Sequence, residues 1–346
     1  MKLILNLIFA FLLATLSAKG QTKDNQYISE NRFSKLTQFL EQSGSSSLLI
    51  LQNGNVLFKW GDTKQKITVH SIRKALLNSL YGIAVAKGVI DTSMTLKQLK
   101  IKDHVPLSRE EPNARIADLL KSRSGVYLDA AGVSHIKRES RPSRHSHLPN
   151  EHFYYNNWDF NVLGAILEQK TGKSLYELFL KEIATPIGMQ DFKGIYTSID
   201  GDSKNSTIPH TDGFYQYEKS KSKYPIQHFR LSTRDLARYG QLYLNKGYWK
   251  GKSIIPEKWI KTSTKPFSIY DSEHGIAYGM LWNVLMKTEK RPNKAFFHTG
   301  TSVHLLGIYP AQNLVLVHRV DTEKDYKFGG NEFSEMIKLV FETIKE

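Results

Sequence analysis

The chain has 346 residues, 40% of them hydrophobic and 11% aromatic, which is the composition of a globular protein with a substantial core. It contains no cysteine, which excludes disulfide bonds, thiol catalysis, thiolate metal sites and a lipid anchor on cysteine. The formal net charge of +15 is dispersed along the chain without interleaved aromatic residues, so we expect a solvated basic surface and no nucleic-acid partner.

The first 20 residues have the pattern of an export signal. A basic residue precedes an apolar run at residues 3–16, and small residues follow at Ala18 and Gly20. The run is shorter than the roughly 20 apolar residues that a membrane-spanning helix needs. We therefore expect a signal peptide at residues 1–20, a secreted or periplasmic mature chain, and no stable membrane insertion after cleavage.

Hydrophobic periodicity and turn signals predict the elements that follow the signal. The first part is predicted to contain a helix at 30–42, a hairpin of strands at 47–52 and 55–60, and a mostly apolar helix at 71–88. The middle is predicted to be a helical subdomain at roughly 91–225, with helices at 95–99, 116–121 and 158–170. The last part is predicted to contain helices at 233–245 and 256–261, strands at 278–285, 295–297, 305–309 and 314–320, and a helix at 331–344.

Strands at both ends of the chain, with helices between them, indicate one domain at residues 21–346. The expected fold class is α+β, a mixed α/β architecture in which helices flank an antiparallel sheet built from both chain ends, with the helical subdomain inserted. The Asn53-Gly54 pair between the first two strands is a strong hairpin signal and supports the antiparallel sheet.

Ser71 and Lys74 form a Ser-Xaa-Xaa-Lys pattern where a long apolar helix begins. Residues three positions apart share one helical face, so the Ser71 hydroxyl is expected beside the Lys74 amine. A lysine buried there can lose its proton and activate the hydroxyl as a nucleophile. The pattern recurs at 134–137 and 220–223, where no long apolar helix follows. The structural alternative is a helix-capping Ser71 with a solvated Lys74.

Tyr155, Asn156 and Asn157 form a second motif. Acyl transfer needs a second proton carrier, and a tyrosine can serve when a neighbouring lysine makes its phenol more acidic. Asn157 is then placed to orient Lys74 or a substrate amide. The structural alternative is that the tyrosines of this segment only pack in the core.

A third motif, His298 to Thr301, follows an apolar strand. Gly300 is expected to let a substrate backbone approach closely, and the Thr301 amide to help bind an oxyanion. The segment Lys170-Thr171-Gly172 has the same Thr-Gly pair after a basic residue as the third motif. It ends a predicted helix, however, where its glycine is explained as a C-cap. The structural alternative for His298 is a buried histidine without a catalytic role.

The three motifs, in this order, resemble those of the serine β-lactamase and penicillin-binding-protein superfamily, in particular its class C and D-alanyl-D-alanine carboxypeptidase-like branch. The resemblance covers nearly all of the mature chain and implies a β-lactamase/transpeptidase-like fold. Further positions resemble family landmarks: Leu119, Leu120, Ser124, Gly125, Leu163, Gly164, Gly188, Gly240 and Trp282.

The resemblance implies that Ser71 attacks a carbonyl carbon while Lys74 and Tyr155 share the duties of general base and acid. Backbone amides of Ser71 and Thr301 would form the oxyanion hole, and His298 would stand where the third motif usually has a lysine. An acyl-enzyme that water hydrolyses follows, with no metal or organic cofactor. The predicted substrate contacts are Asn157, Trp158, Thr299, Gly300, Thr301 and Arg144.

Two features bear on the substrate. A histidine that is neutral near pH 7 binds a carboxylate less firmly than a permanent cation, and His298 is more typical of esterase-like and amide-hydrolase members. Amidase or esterase activity therefore ranks first, D-alanyl-D-alanine carboxypeptidase second and β-lactamase third. The polar loop at 134–150 places Arg144 near Tyr155 in sequence, where it can clamp a carboxylate or phosphate, the alternative being a solvated loop.

The favoured function is an exported serine hydrolase acting on an amide or ester of a small or peptide-like molecule. A non-catalytic cell-wall-binding protein on the same scaffold is the first alternative, although Ser71, Lys74 and Tyr155 are all present. The second is a protein that binds anionic polymers through charge alone, which predicts strongly salt-dependent binding. No Gly-Xaa-Ser-Xaa-Gly motif of other serine hydrolases occurs.

Overall fold

The computed structural model describes residues 32–133, 139–289 and 291–345. The predicted signal peptide and the first part of the predicted polar loop, residues 134–138, lie outside these ranges.

The helices of the described residues are, in chain order, α1 (Ser34–Ser43), α2 (Arg73–Ala86), α3 (Ile116–Leu120), α4 (Asn157–Thr171), α5 (Leu175–Phe179), α6 (Thr233–Leu244), α7 (Glu257–Ser263) and α8 (Gly330–Lys345). The strands are β1 (Ser47–Gln52), β2 (Asn55–Gly61), β3 (Lys66–Thr68), β4 (Tyr196–Asp200), β5 (Gly213–Tyr217), β6 (Ile226–Ser232), β7 (Tyr248–Trp249), β8 (Lys252–Ser253), β9 (Ser268–Asp271), β10 (Ile276–Tyr278), β11 (Asn283–Leu285), β12 (Ala295–Gly300), β13 (His304–Tyr309) and β14 (Leu314–Arg319).

The chain divides into two compact units. The described part of one unit, residues 32–45 and 327–345, contains α1 and α8, which contact each other. The Arg32 Nε donates a hydrogen bond to the Thr343 carbonyl within this unit. The other unit, residues 46–326, contains all the strands and the remaining helices.

The main sheet of the larger unit has the order β2-β1-β14-β13-β12-β11-β10-β9, and every neighbouring pair in it is antiparallel. Strands β1 and β14 are adjacent in it, so strands from both ends of the chain meet in one sheet. The predicted hairpin is confirmed, because Asn53 and Gly54 have positive φ values of 52° and 79° between β1 and β2. The expected fold class is confirmed as well.

A second sheet was not predicted from the sequence. It has the order β3-β6-β5-β4, with a parallel pair between β4 and β5, and both of those strands lie within the region predicted to be helical, roughly 91–225. Every residue of β4 is exposed or half-buried, so this strand has no apolar alternation for a pattern search to find. Strand β6 pairs with β3 just before the nucleophile turn, which ties this sheet to the site.

Two predicted elements were wrong. The predicted helix at 95–99 is a turn, because the amides of Leu96 and Lys97 donate to carbonyls at residues 114 and 112 instead of continuing a helix. The predicted strand at 278–285 is two strands, β10 and β11, joined by a buried turn. A Cβ on Gly279 in that turn would lie 2.3 Å from the Ser263 carbonyl oxygen, so the turn packs tightly against α7.

Helix α2 is the central element of the larger unit. Twelve of its residues are buried, as expected for a helix that is apolar nearly all round. Polar contacts fix it in place: Tyr81 Oη donates to the Leu163 carbonyl on α4 at 2.8 Å, and Asn78 Nδ2 donates to the Met280 carbonyl at 2.8 Å. The middle of α2 is therefore tied to its neighbours, and the candidate site lies at its N-terminal end.

Candidate active site

Ser71 lies in a tight helical turn, His70–Ile72, that leads directly into α2. Lys74 is only 2% exposed, and its Nζ donates a hydrogen bond to Ser71 Oγ at 2.9 Å. The same Nζ lies 4.6 Å from the ring centroid of Phe160 and 4.8 Å from that of Tyr155. The spacing of three residues thus brings the hydroxyl and the amine together beside two aromatic rings.

The Tyr155 side chain completes this group. Its hydroxyl is hydrogen-bonded to Ser71, and its ring lies edge-on to Phe160 with the centroids 5.0 Å apart. Burial raises the pKa of Tyr155 to about 12, against the smaller opposing effects of the Ser71 hydrogen bond and the Arg73 charge. The expectation of a more acidic phenol was therefore wrong, because desolvation of the phenolate outweighs the nearby cation. Tyr155 is therefore neutral at pH 7.

Ser122 holds the backbone on both sides of Tyr155. Its hydroxyl donates to the Tyr154 carbonyl at 2.6 Å and accepts from the Asn156 amide at 2.9 Å. Ser122 itself has a φ of 57°, in the left-handed region that non-glycine residues rarely occupy. Asn156 then caps α4, its side chain accepting from the Trp158 amide at 3.2 Å. One buried hydroxyl therefore sets the position from which Tyr155 reaches Ser71.

The end of β12 faces the same site. Strand β12 pairs with β13 as far as Gly300, but its pairing with β11 stops at Phe297. Its last residues therefore have one edge without a paired strand, and Thr299 and Thr301 line the cavity there. His298 also lines it, although it is only 1% exposed and its Nδ1 donates to the Thr299 carbonyl at 2.9 Å.

Gly300 has a different role from the one predicted. A Cβ at this position would lie 2.5 Å from the Val69 carbonyl oxygen and 3.3 Å from the His70 Cβ. His70 has a φ of 47°, so the chain turns sharply there, just before Ser71. Gly300 is not among the residues that line the cavity. Its lack of a side chain makes room for the turn at Val69 and His70 rather than for a substrate backbone.

A cavity of about 560 Å³ opens at this group of residues. Its described lining contains the guanidinium of Arg73 and the amine of Lys74, and no Asp or Glu. Burial lowers the pKa of His70 to about 4 and that of His228 well below its usual range, so both of these lining histidines are neutral at pH 7. The cavity is therefore a positively charged environment.

Three predicted substrate contacts need correction or restriction. Trp158 is fully buried and its indole Nε1 donates to Asp103 at 2.8 Å, because the start of α4 turns it away from the cavity. Arg144 forms a bidentate ion pair with the buried Glu111, with distances of 3.0 and 2.8 Å, and does not line the cavity. Asn157 does line it, and its Nδ2 donates to the Gly132 carbonyl at 3.0 Å rather than to Lys74.

Sequence reasoning missed three residues of this region. Ser122 gave no pattern that marked it, whereas Arg73 is a charged residue inside an otherwise apolar helix and could have been noticed. Asp159 is fully buried, and it accepts hydrogen bonds from Ser124 at 2.6 Å and from Asn156 at 2.9 Å. Burial raises the pKa of Asp159 well above its usual range, so its neutral form is favoured beneath the tyrosine segment.

The described residues were also considered as a metal site and as a membrane-spanning segment. No group of three or more His, Cys, Asp or Glu side chains in the described ranges is placed to hold a metal ion. Among the helices of those ranges, none is long and apolar enough to cross a membrane.

A half-buried serine and tyrosine and a buried lysine lie together beside the unpaired edge of an antiparallel strand, a combination of side chains typical of serine hydrolases. The family model described as Beta-lactamase matches residues 34–330, and the chain belongs to this family. The resemblance expected from the three motifs is thereby confirmed.

Known proteins are similar over most of the chain. An uncharacterised protein of Alkalihalophilus pseudofirmus is 24% identical over 317 residues, which are 85% of this chain and 88% of that protein. The penicillin-binding protein of Bacillus halodurans has a similar structure, with a TM-score of 0.62, 15% identity, and coverage of 88% of this chain and 99% of that one. EstCE1, a hydrolase with promiscuous acyltransferase activity, has a TM-score of 0.62 at 14% identity and covers 90% of this chain and 98% of its own. At these identities the structural likeness shows the fold.

Proposed function

We propose that this protein is an exported serine hydrolase that cleaves an amide or ester bond through an acyl-Ser71 intermediate. The observation that carries the proposal is the meeting of three side chains in one cavity: Ser71 Oγ accepts a hydrogen bond from Lys74 Nζ at 2.9 Å and is also hydrogen-bonded to the Tyr155 hydroxyl. A nucleophile in contact with two proton carriers is what acyl transfer requires.

The proposed acylation step begins with the neutral amine of Lys74 accepting the Ser71 proton while Ser71 Oγ attacks the carbonyl carbon. The backbone N–H groups of Ser71 and Thr301 stabilise the oxyanion that forms. Tyr155, neutral at pH 7 because burial raises its pKa to about 12, gives its proton to the leaving group as the carbon–heteroatom bond breaks. Lys74 then returns the Ser71 proton to Tyr155, so the step ends with an acyl-enzyme, a free leaving group and both carriers restored.

Deacylation runs the same path with water in place of the leaving group. Water attacks the acyl carbon, its proton passes to the Tyr155 and Lys74 pair, and Ser71 leaves with a proton from that pair. The products are a carboxylic acid and the free serine. No metal or organic cofactor enters this scheme.

The identity of residue 298 in the third motif is the basis for ordering the candidate substrates. Because His298 stands where related enzymes have a lysine, we place amidase or esterase activity on a small or peptide-like molecule ahead of D-alanyl-D-alanine carboxypeptidase activity, and β-lactam hydrolysis last. Phe153 and Tyr270 stack with their ring centroids 5.7 Å apart on the cavity wall, which provides an apolar face for the organic part of a substrate.

Covalent labelling tests the proposal. A fluorophosphonate and a labelled penicillin are incubated with the protein, and intact mass is measured. We expect the fluorophosphonate to add one mass increment that Ser71→Ala abolishes. Ser302→Ala is the matched control, since Ser302 also lines the cavity, and it should keep the adduct. A hydrolysis panel of esters, linear amides, D-amino-acid peptides and β-lactams then orders the substrates. No adduct with any acylating reagent would favour a non-catalytic binding protein on this scaffold.

Export is proposed from residues 1–20 alone. We expect expression of the full chain in a bacterial host to yield a mature protein that begins at Gln21 and is found outside the cytoplasm. N-terminal sequencing of the secreted or periplasmic fraction measures this. A protein that keeps its first 20 residues in the cytoplasm contradicts it.

A further inference from the structure

The cavity contains a buried arginine beside the lysine of the first motif. Arg73 lines the cavity and is 3% exposed. Its guanidinium donates to Gln227 Oε1 at 3.1 Å and to Asn161 Oδ1 at 2.7 Å, so both partners are neutral amides. Within the described parts of the chain, no carboxylate forms an ion pair with Arg73.

A buried cation held only by amides remains without a counter-charge. Burial lowers the pKa of Arg73 to about 10, which still leaves the guanidinium charged at pH 7. Amide oxygens satisfy hydrogen bonds but do not neutralise the charge, and an uncompensated buried charge is unfavourable. The N–H donors of a guanidinium outnumber these two hydrogen bonds, so donors are left for an anion.

The rest of the cavity favours an anion as well. Its described lining holds no Asp or Glu that could offset the charge of Arg73, and the nearby His70 and His228 are neutral at pH 7. A concave site of one sign of charge concentrates ligands of the opposite sign. The planar guanidinium fork binds carboxylates in a two-point geometry.

We propose that Arg73 is an anion subsite of this cavity and that the hydrolysed substrates carry a carboxylate that pairs with its guanidinium. The inference rests on the proposed hydrolase function, and it names the substrate class of the same site. It also places the substrate's anionic group at the start of α2 rather than at the third motif, where His298 replaces a lysine.

Paired substrates that differ only in charge test the inference on the unmodified protein. The first pair is 4-nitrophenyl hydrogen glutarate and the 4-nitrophenyl ester of glutaramic acid, with the charge on the acyl part. The second pair is 4-acetoxybenzoate and 4-acetoxybenzamide, with the charge on the leaving group. In at least one pair we expect kcat/KM for the carboxylate to exceed that for the amide by about 10- to 100-fold. Equal kcat/KM within both pairs overturns the inference.

Two variants locate the preference. Arg73→Gln should remove it by lowering kcat/KM for the carboxylate by about 10- to 100-fold more than kcat/KM for the amide. Gln227→Glu, which keeps the side-chain shape, supplies an internal counter-charge and should remove the preference in the same way. Arg144→Gln removes an arginine outside the cavity and should keep it. Equal losses on both members of a pair would show that Arg73 only supports the fold, and would contradict the inference.

A binding measurement separates this inference from the proposed function. In the Ser71→Ala protein, calorimetry compares the binding of 4-acetoxybenzoate and 4-acetoxybenzamide without hydrolysis. Tighter binding of the carboxylate that Arg73→Gln abolishes supports the anion subsite even if no reagent labels Ser71. Equal binding, together with normal fluorophosphonate labelling of the unmodified protein, overturns the anion subsite and leaves the hydrolase proposal intact.

Discussion

Gly300→Ala is expected to damage the site without touching any reacting group. The new Cβ would lie 2.5 Å from the Val69 carbonyl oxygen, and Cβ atoms essentially never lie closer than 3.0 Å to another heavy atom, so the two segments must separate by at least 0.5 Å (3.0 − 2.5). Ser71 follows Val69 by two residues and Thr301 follows Gly300 directly. The separation therefore widens the gap between the two amides proposed to bind the oxyanion.

The expected loss follows from that displacement. A misplacement of about 1 Å at a reacting centre costs about 100-fold in rate, so we expect kcat/KM to fall by about 10- to 100-fold. Crowding of a packed interior also lowers the free energy of unfolding by about 1–3 kcal/mol. The assay is kcat/KM for the best ester of the substrate panel, normalised by the concentration of folded protein from circular dichroism and by urea unfolding midpoints.

Gly240→Ala is the matched control. Its Cβ would lie 2.5 Å from Val315 Cγ1, the same distance but from a side-chain methyl group rather than a backbone carbonyl, and the contact lies between α6 and β14, away from the cavity lining. We expect a loss of stability no larger than that of Gly300→Ala, with kcat/KM within about twofold of the unmodified protein. A folded Gly300→Ala protein with unchanged kcat/KM, or equal losses of activity in both variants, would refute the reasoning.

Three further predictions concern the tyrosine segment. Ser122→Ala removes the hydroxyl that bonds the backbone on both sides of Tyr155, so kcat should fall by about tenfold or more while KM changes little, as steady-state kinetics would show. Tyr155→Phe should lower kcat/KM by about 100-fold or more, and because the pKa of Tyr155 is raised to about 12, the ratio of unmodified to variant rates should stay constant from about pH 6 to pH 10. Asp159→Asn should remove a pH dependence of stability. The folded protein keeps the Asp159 proton that the unfolded chain releases above its ordinary pKa of 3.8, so the free energy of unfolding of the unmodified protein falls as pH rises. Urea midpoints measured at several pH values above 4 should therefore fall less for the variant.

Each of these has an outcome that contradicts it. A KM effect without a kcat effect in Ser122→Ala would mean that this hydroxyl does not position the proton donor. A rate ratio for Tyr155→Phe that bends below pH 10 would mean that the phenol ionises earlier than its burial implies. Parallel stability curves for the unmodified protein and Asp159→Asn would mean that Asp159 is charged in the folded protein.

The fold class could be predicted because its signals are local and ordered. The Asn-Gly hairpin, the apolar α2 and the three motifs are each visible as short sequence patterns. In the structure the hairpin and the third motif belong to the main sheet, and the first motif lies at the start of helix α2. The second sheet could not be predicted in the same way. Strand β3 has only three residues and β4 has no fully buried residue. Their pairing is decided by tertiary contacts, which the periodicity of a sequence does not reveal.

In the candidate site, too, contacts within one helix could be predicted from the sequence, whereas contacts between distant segments could not. Ser71 and Lys74 meet because a helix places them on one face, which spacing alone predicts. Trp158 and Arg144 were assigned to the cavity because they lie close to Tyr155 in sequence, but a helix turn and a buried Glu111 direct them elsewhere. The acidity of Tyr155 was misjudged for a related reason, since sequence spacing shows a nearby cation but not the extent of burial.

The pairing of β1 with β14 also bears on when the proposed active site can form during synthesis of the chain. Ser71 and Thr301 are 230 positions apart (301 − 71), and the sheet that brings them together contains strands from both halves of the chain. Contacts at such long sequence separation slow folding, because a long loop must close before they form. The proposed nucleophile Ser71 is therefore expected to become reactive only after the strands around residue 301 have been synthesised and paired, so covalent labelling of Ser71 during folding would report when that pairing is complete.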